Sequence, residues 1–193
     1  MNKKGGRVKK IVLGIAVLHL IGSVVFSAKA VDISFNGDLT DYPCKIDTGS
    51  DNQTVYFLTY PVKNFYISPG STPLQKFSIR LRDCDANSSW KTVKFRFTGN
   101  HEPQMKEKSD YFLSVTGSGN EGKLAVGLLD TDGKTLLKLD DYNNNNLNGT
   151  PLIDGSMDFD FFAFVQATPD AILNKSVQPG AYESLVRFEL VYE

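Results

Sequence analysis

Histidine, cysteine and tryptophan are scarce in this chain of 193 residues, which contains two, two and one of them. His19 lies in an apolar run near the start, so His101 is the one histidine in the rest of the sequence. A single histidine without a Ser/His/acid signature offers little for nucleophilic catalysis, and we expect no enzymatic activity. A metal site built on the two cysteines would need further histidine ligands, so neither a metal nor a cofactor is expected.

Long hydrophobic runs are absent apart from residues 11–26. This run follows a start rich in lysine and arginine, and Ala28-Lys29-Ala30 then gives the small-x-small pattern of a secretory cleavage site. A membrane anchor is the alternative, but the run is shorter than the ~20 residues needed to span a bilayer. We therefore predict a signal peptide at residues 1–30, export, and one domain in the remaining 163 residues.

An excess of basic residues is also missing once the signal is removed. The signal carries six of the 21 basic residues and none of the 22 acidic ones, which leaves a net charge of −7. An acidic domain without a basic stripe is a poor ligand for nucleic acid or anionic membranes, and no membrane insertion is expected after cleavage.

The two cysteines, Cys44 and Cys84, both lie in the exported part. In an oxidising compartment such a pair predicts one disulfide, which would contribute about 4 kcal/mol by the chain-entropy estimate. A two-cysteine metal site is the less favoured alternative.

Short strand patterns separated by turn signals fill the exported part, whereas helical patterns are few. Apolar periodicity predicts strands at 54–60, 76–84, 91–99, 111–117, 124–130, 159–167 and 184–193. FDFFAFVQA (159–167) is apolar on both faces, which indicates a central strand. Only PDAILNK (169–175) offers a helical turn, and 68–73 and 140–149 are predicted loops. The pattern predicts an antiparallel β-sandwich of immunoglobulin-like size.

Two local motifs have alternative interpretations. Asp132-Gly133 lies between apolar runs and predicts a two-residue hairpin turn. Asp130 and Asp132 also resemble the start of a calcium loop, but the third ligand before the glycine and the later bidentate glutamate are missing. Trp90 lies in a polar stretch and is interpreted as a strand-edge residue, with a sugar-stacking role as the alternative.

Strand patterns lie near both ends of the exported part. VDISFNGDL (31–39) alternates apolar residues but carries no lysine, proline or bulge to protect an exposed edge. SLVRFELVYE (184–193) places Val186, Phe188, Leu190 and Tyr192 on one face. From the pattern alone, the second segment could be an ordinary last strand of a complete sandwich. Gly37 could likewise mark a simple bulge or strand end.

Several of these segments together resemble the subunits of chaperone–usher pili. The resemblance rests on ISFNGDL (33–39) with Cys44 seven residues after Gly37, SIRLRDC (78–84), KLAVGLLDTDGKTLL (123–137) and VQPGAYESLVRFELVYE (177–193) with its penultimate tyrosine. The resemblance covers essentially all of residues 31–193. Among such subunits, the chain most resembles the minor, adaptor-type subunits of P-like pili.

The resemblance implies an all-β, incomplete immunoglobulin-like sandwich that lacks its seventh, G strand. A chaperone or a neighbouring subunit would complete it with a donated strand, a known mode of strand addition. Residues 40–193 would form the pilin domain, and residues 31–39 would be a donor strand for another subunit. The residues implied in donation are Val31, Ile33, Phe35, Gly37 and Leu39. Those implied to border the groove and bind the chaperone are Val186, Phe188, Leu190, Tyr192 and Glu193.

The implied function is that of a structural pilus subunit in cell adhesion, polymerising by donor-strand exchange. Its partners would be a periplasmic chaperone, an outer-membrane usher and neighbouring subunits, and its route would lead through the periplasm to a cell-surface fimbrium. A secreted carbohydrate-binding adhesin module is the alternative. A secreted hydrolase is disfavoured by the missing catalytic constellation.

Overall fold

The computed structural model describes residues 42–142 and 149–193, which form two antiparallel β-sheets. The larger sheet has the strand order β1-β2-β7-β5-β4, and the smaller sheet has the order β6-β3-β8. The strands are β1 (Lys45–Ile46), β2 (Gln75–Cys84), β3 (Thr92–Gly99), β4 (Phe112–Ser114), β5 (Leu124–Leu129), β6 (Thr150–Pro151), β7 (Gly155–Ala167) and β8 (Val186–Tyr192). Turns of 3₁₀ helix occupy Val62–Tyr66 and Pro103–Tyr111, and one short α-helix, α1, spans Pro169–Asn174.

The core lies between the sheets and is rich in phenylalanine. Phe161 of β7 approaches Phe95 and Phe97 of β3, each with ring centroids 5.1 Å apart and planes steeply inclined. Phe77 of β2 packs edge-on against Phe97 at 6.4 Å. Such edge-to-face contacts add to the stabilisation from apolar burial. The predicted antiparallel sandwich is therefore confirmed.

The long strand β7 lies centrally, paired with β2 on one side and β5 on the other. Its alternate residues Met157, Phe159, Phe161, Ala163, Val165 and Ala167 are all buried. On the opposite face, Phe164 packs edge-on against Phe112 of β4 at 5.8 Å. The apolar character of both faces was the signal for a central strand, and that prediction is confirmed.

Helix α1 follows β7 directly and matches the predicted helical turn. The Thr168 hydroxyl caps it by accepting a hydrogen bond from the Ala171 N–H, and Pro169 occupies the first turn. Lys175 then adopts a left-handed conformation and ends the helix.

The turn around Asp132 differs in length from the predicted two-residue hairpin. Backbone hydrogen bonds pair Asp130 with Thr135 and Leu128 with Leu137, so the connection is longer. The Asp132 carboxylate accepts hydrogen bonds from the N–H and hydroxyl of Thr135 and from the N–H of Lys134, and these bonds lower its pKa. This carboxylate therefore organises the turn, which favours a turn over a calcium loop.

Segment 54–60 was predicted to be a strand, and that prediction is wrong for the described residues. The segment belongs to neither sheet, and no backbone–backbone hydrogen bond joins it to another described residue. Its side chains nevertheless alternate in burial: Val55 and Phe57 are half-buried, whereas Tyr56 and Leu58 are exposed. The segment thus has the side-chain pattern of a strand without a pairing partner in the described structure.

Candidate functional site

Strand β8 forms an open edge of the smaller sheet. It pairs with β3 from Val93↔Tyr192 to Gly99↔Val186, and among residues 42–142 and 149–193 no strand pairs with its other side. The opposite edge of this sheet is the two-residue strand β6. An open edge of seven residues offers a row of backbone donors and acceptors for another strand.

The inner face of β8 is apolar but incompletely buried. Val186, Phe188, Leu190 and Tyr192 point towards the core and pack against it, yet each remains half-buried. Core residues of β7 are much better covered, with Val165 at 0% and Phe161 at 2% exposure. Further apolar area of β8 can therefore be removed from water, and that removal would be favourable.

Segment 54–60 contributes more apolar side chains to the same margin of the core. The Phe57 ring lies 6.4 Å from Tyr182, a residue just before β8, and Tyr60 packs edge-on against Phe65 at 5.5 Å. Burial raises the pKa of the Tyr182 phenol. We call the set Phe57, Tyr60, Tyr182, Val186, Phe188, Leu190 and Tyr192 the β8 margin.

A disulfide joins Cys44 and Cys84, close in sequence to Tyr42, which contacts the last residue of β8. It joins residues whose Cα atoms are 4.1 Å apart across a sequence separation of 40. The neighbouring Pro43 carbonyl accepts a hydrogen bond from the Asp85 N–H, and the Tyr42 ring lies 6.3 Å from Tyr192. These contacts fix the position of Tyr42 beside the last residues of β8.

The outer face of β8 carries Arg187 and Glu189 beside Val191, and ion pairs hold this side of the strand to β3. Arg96 pairs with Glu189 directly across the two strands, and the Lys94 ammonium lies 2.8 Å from the Glu193 carboxylate. The Lys94 side chain is only 6% exposed, so loss of the Glu193 carboxylate would leave a buried charge without this partner. The two faces of β8 therefore differ sharply, and a register slip would exchange them.

The end of β8 is also held by backbone bonds. The Glu193 carbonyl accepts hydrogen bonds from the N–H groups of Lys91 and Thr92. One polar group here stands out, because the buried Tyr192 hydroxyl has no hydrogen-bond partner among the described residues. Burial raises the pKa of Tyr192, and Tyr42 contributes in the same direction.

The predicted site residues divide into two groups. Four of the five proposed groove residues, Val186, Phe188, Leu190 and Tyr192, share one face of β8, as the alternation of the sequence indicated. The fifth, Glu193, follows β8, and its carboxylate pairs with Lys94. The proposed donor residues Val31, Ile33, Phe35, Gly37 and Leu39 lie outside the described residues, as does the predicted signal peptide. Sequence reasoning missed the part that segment 54–60 plays at the margin, although its alternation was the available signal.

Other kinds of site receive little support from the described residues. No group of three or more histidine, cysteine, aspartate or glutamate side chains there could hold a metal ion. In the same residues no helix is long and apolar enough to cross a membrane. Trp90 is half-buried and packs against the core, in keeping with a strand-edge role.

Comparisons of sequence give a consistent set of relatives. A family model described as "Fimbrial protein" matches residues 33–193. The chain is 40% identical to the fimbrial adapter PapK of Escherichia coli over 165 residues, covering 86% of this chain and 89% of PapK. It is 41% identical to protein PrsK of the same organism with the same coverage. A major MR/P fimbria protein of Proteus mirabilis is more distant, at 28% identity over 192 residues.

Solved structures show the same fold at lower sequence identity. A structure of a chaperone–usher pilus matches with a TM-score of 0.61 and 21% identity, covering 86% of this chain and 96% of the matched one. The crystal structure of the P pilus rod subunit PapA matches with a TM-score of 0.58 and 20% identity, covering 79% of this chain and all of PapA. These likenesses confirm the immunoglobulin-like sandwich as the fold class.

Proposed function

The chain belongs to the fimbrial protein family, and from that premise we propose that it is an adaptor-type minor subunit of a chaperone–usher pilus. As such a subunit it polymerises with other subunits by donor-strand exchange. The adaptor role is favoured because identity to the fimbrial adapter PapK is 40%, whereas identity to the major MR/P protein is 28%. No observation favours the carbohydrate-binding adhesin module that the sequence left as an alternative.

The observation that carries the proposal is the β8 margin. An open strand edge lies beside apolar side chains that are only half-buried, and segment 54–60 alternates in burial but has no strand partner among the described residues. One inserted strand would supply backbone bonds to β8 and cover the inner face at the same time. We therefore assign the margin as the acceptor for a donated strand.

Residues 31–39 are the proposed donor to another subunit. In this segment apolar side chains alternate with polar ones, at Val31, Ile33, Phe35 and Leu39. If its backbone pairs with a strand such as β8 of another subunit, these side chains all point into the receiving groove. Burying four such side chains stabilises the contact by roughly 6–12 kcal/mol before the cost of ordering the segment. Gly37 suits a position where the receiving groove leaves no room for a side chain.

The proposed route follows from the same open margin. A subunit with half-buried core residues needs a temporary strand before assembly, and a periplasmic chaperone would supply it along β8. The signal peptide at residues 1–30 would deliver the chain to the periplasm, and an outer-membrane usher would then pass it to the cell surface. Residues 40–193 form the proposed pilin domain, which receives the donated strand.

The donor half of the proposal is tested by deleting residues 31–39 while keeping the signal. We expect the shortened chain still to be recovered with its chaperone, because the acceptor margin is unchanged. It should fail to join a neighbouring subunit. The measurement is the amount of the shortened chain found in purified surface fibres, compared with the unchanged chain. Normal fibres containing the shortened chain would contradict the donor assignment.

The acceptor half is tested on β8 itself with a matched pair of variants. Leu190→Lys places a charge on the inner face and should block strand reception, because an unpaired buried charge is strongly unfavourable. Arg187→Gln alters the exposed outer face of the same strand and is the control. If both variants assembled into fibres equally well, the inner face of β8 would not be the acceptor of a donated strand.

A further inference from the structure

The segment that leads into β8 is held in place mainly by hydrogen bonds and only to a small extent by apolar burial. Residues 175–185 cross from α1, which follows the larger sheet, to β8 in the smaller sheet. Most of their side chains are exposed; Val177 is buried, and Tyr182 is half-buried. Apolar burial therefore contributes little to their position, and other contacts must fix it.

Asn120, at 0% exposure, makes the main contact. Its Nδ2 donates a hydrogen bond to the Gln178 carbonyl at 3.0 Å, and its Oδ1 accepts one from the Gln178 N–H at 2.8 Å. The Asn120 side-chain amide thus bonds both the N–H and the carbonyl of Gln178, as the backbone of a neighbouring strand would. Because the Asn120 amide is buried, leaving its own donor or acceptor unpaired would be unfavourable, and Gln178 satisfies both.

Three further hydrogen bonds continue this contact towards β8. Thr116 and Glu183 exchange N–H···O=C bonds of 2.9 Å in each direction, and the Ser184 hydroxyl donates to the Ser114 carbonyl at 2.7 Å. We call these bonds, together with the Asn120–Gln178 pair, the Asn120 clamp. All of them tie the approach to β8 to the end of β4 or to the loop between β4 and β5.

Two glycines allow the loops to come this close. A β-carbon at Gly117 would lie 2.8 Å from the Ala181 carbonyl oxygen, and one at Gly180 would overlap the Ser118 hydroxyl. Both glycines have positive φ angles, +104° and +147°, that side chains rarely adopt. The absence of a side chain at Gly117 and Gly180 therefore lets the β4–β5 loop and the segment before β8 pack in direct contact.

We propose that Asn120 is a positioning residue for strand reception, which fixes the start of β8 before a donor strand arrives. The proposal rests on the proposed function of β8 as an acceptor. The end of β8 is held separately, by the Glu193 backbone bonds and the Lys94–Glu193 ion pair. With both ends fixed, the open edge is presented as a preformed template, which reduces the ordering cost of binding.

The test compares Asn120→Ala with Asn87→Ala in the chain recovered from the periplasm (residues 31–193) and then released from its chaperone, so that the edge of β8 is free. Asn87 is an exposed residue between β2 and β3 and serves as the control. Hydrogen exchange should show amide protection across 183–188 reduced about tenfold in the Asn120 variant, since both backbone groups of Gln178 lose their partner. Protection of 189–192 and of β7 should be unchanged. A uniform loss throughout the sandwich, or no loss at all, would overturn the proposal.

A second measurement follows binding of a synthetic peptide with the sequence of residues 31–40. In the Asn120 variant its association rate should fall about tenfold with little change in dissociation, because the bound strand itself then orders β8. Association equal to that of the Asn87 control would overturn the positioning role. If the peptide binds no form of the chain, the acceptor assignment fails for this donor, while hydrogen exchange still decides whether Asn120 fixes the start of β8.

Ser184→Ala provides a milder variant should Asn120→Ala not fold. It removes one bond of the clamp at an exposed side chain. We expect a smaller loss of protection, about two- to fivefold, again confined to 183–188. Protection identical to the unchanged chain would count against the clamp.

Discussion

Phe188→Ala should destabilise the chain by very different amounts with and without a donor strand. Phe188 lies on the inner face of β8 opposite Phe97, and it is half-buried in the chain alone. Truncating a fully buried phenylalanine to alanine costs about 3–5 kcal/mol. Because a large part of this ring is still open to solvent, we expect about half that loss, roughly 1.5–2.5 kcal/mol, in the chain alone.

The full loss should appear once the margin is covered. Fusing residues 31–39 after Glu193 through a short flexible linker would supply a strand antiparallel to β8, as in a hairpin. In this complemented chain Phe188→Ala should cost the full ~3–5 kcal/mol. Urea-induced unfolding of the four proteins, with and without the substitution and the strand, measures both losses.

Arg187→Ala is the matched control for this experiment. Arg187 is exposed on the outer face of the same strand, so its loss should stay within about 0.5 kcal/mol in both forms. Equal losses for Phe188→Ala in the two forms would refute the reasoning, because the added strand would then not cover the inner face of β8.

Three further changes have definite expected outcomes. Tyr192→Phe should raise the free energy of unfolding by about 1 kcal/mol, measured in urea, because it removes a buried hydroxyl without a partner among the described residues; a loss would show that the hydroxyl is bonded. Replacing Cys44 and Cys84 together by alanine should cost about 4 kcal/mol in the same assay, and an unchanged midpoint would contradict the stabilising role of the disulfide. The hydrogen bond from Ser78 lowers the pKa of Asp160, and an ion pair with a neighbouring lysine assists. A lowered folded-state pKa gives stability that is present above the ordinary aspartate pKa of about 4 and lost as the pH falls through the folded value. Below about pH 4, the urea midpoint of the Asp160→Asn variant should therefore fall less steeply with falling pH than that of the unchanged chain. An equally steep fall in both proteins would contradict this.

Much of the sandwich follows from side-chain periodicity. The double-sided apolar pattern of 159–167 predicted a central strand, and the alternation of 186–192 predicted which side chains share a face with the core. These features depend on each segment's own sequence and on burial, which the pattern reports directly. The helical turn predicted at 169–175 corresponds to the short helix α1.

Features that depend on a partner were not visible in the sequence. Segment 54–60 has the periodicity of a strand, but a strand also needs a neighbour to receive its backbone bonds, and periodicity carries no information on that. Asn120 looks like any loop asparagine in the sequence, and only its complete burial against Gln178 distinguishes it. The turn at Asp132 is longer than predicted because Asp130 pairs with Thr135 and the Asp132 carboxylate binds backbone N–H groups inside the turn.

The most direct test of the central claim is the state in which the chain is recovered from the periplasm. An immunoglobulin-like body with an open, half-buried strand edge should be obtained as a one-to-one complex with a chaperone, measured by size-exclusion chromatography with light scattering. Removing the chaperone should leave it prone to aggregate or to capture a donor strand. Recovery of the chain from the periplasm as a chaperone-free monomer that neither aggregates nor captures a donor strand would contradict the account.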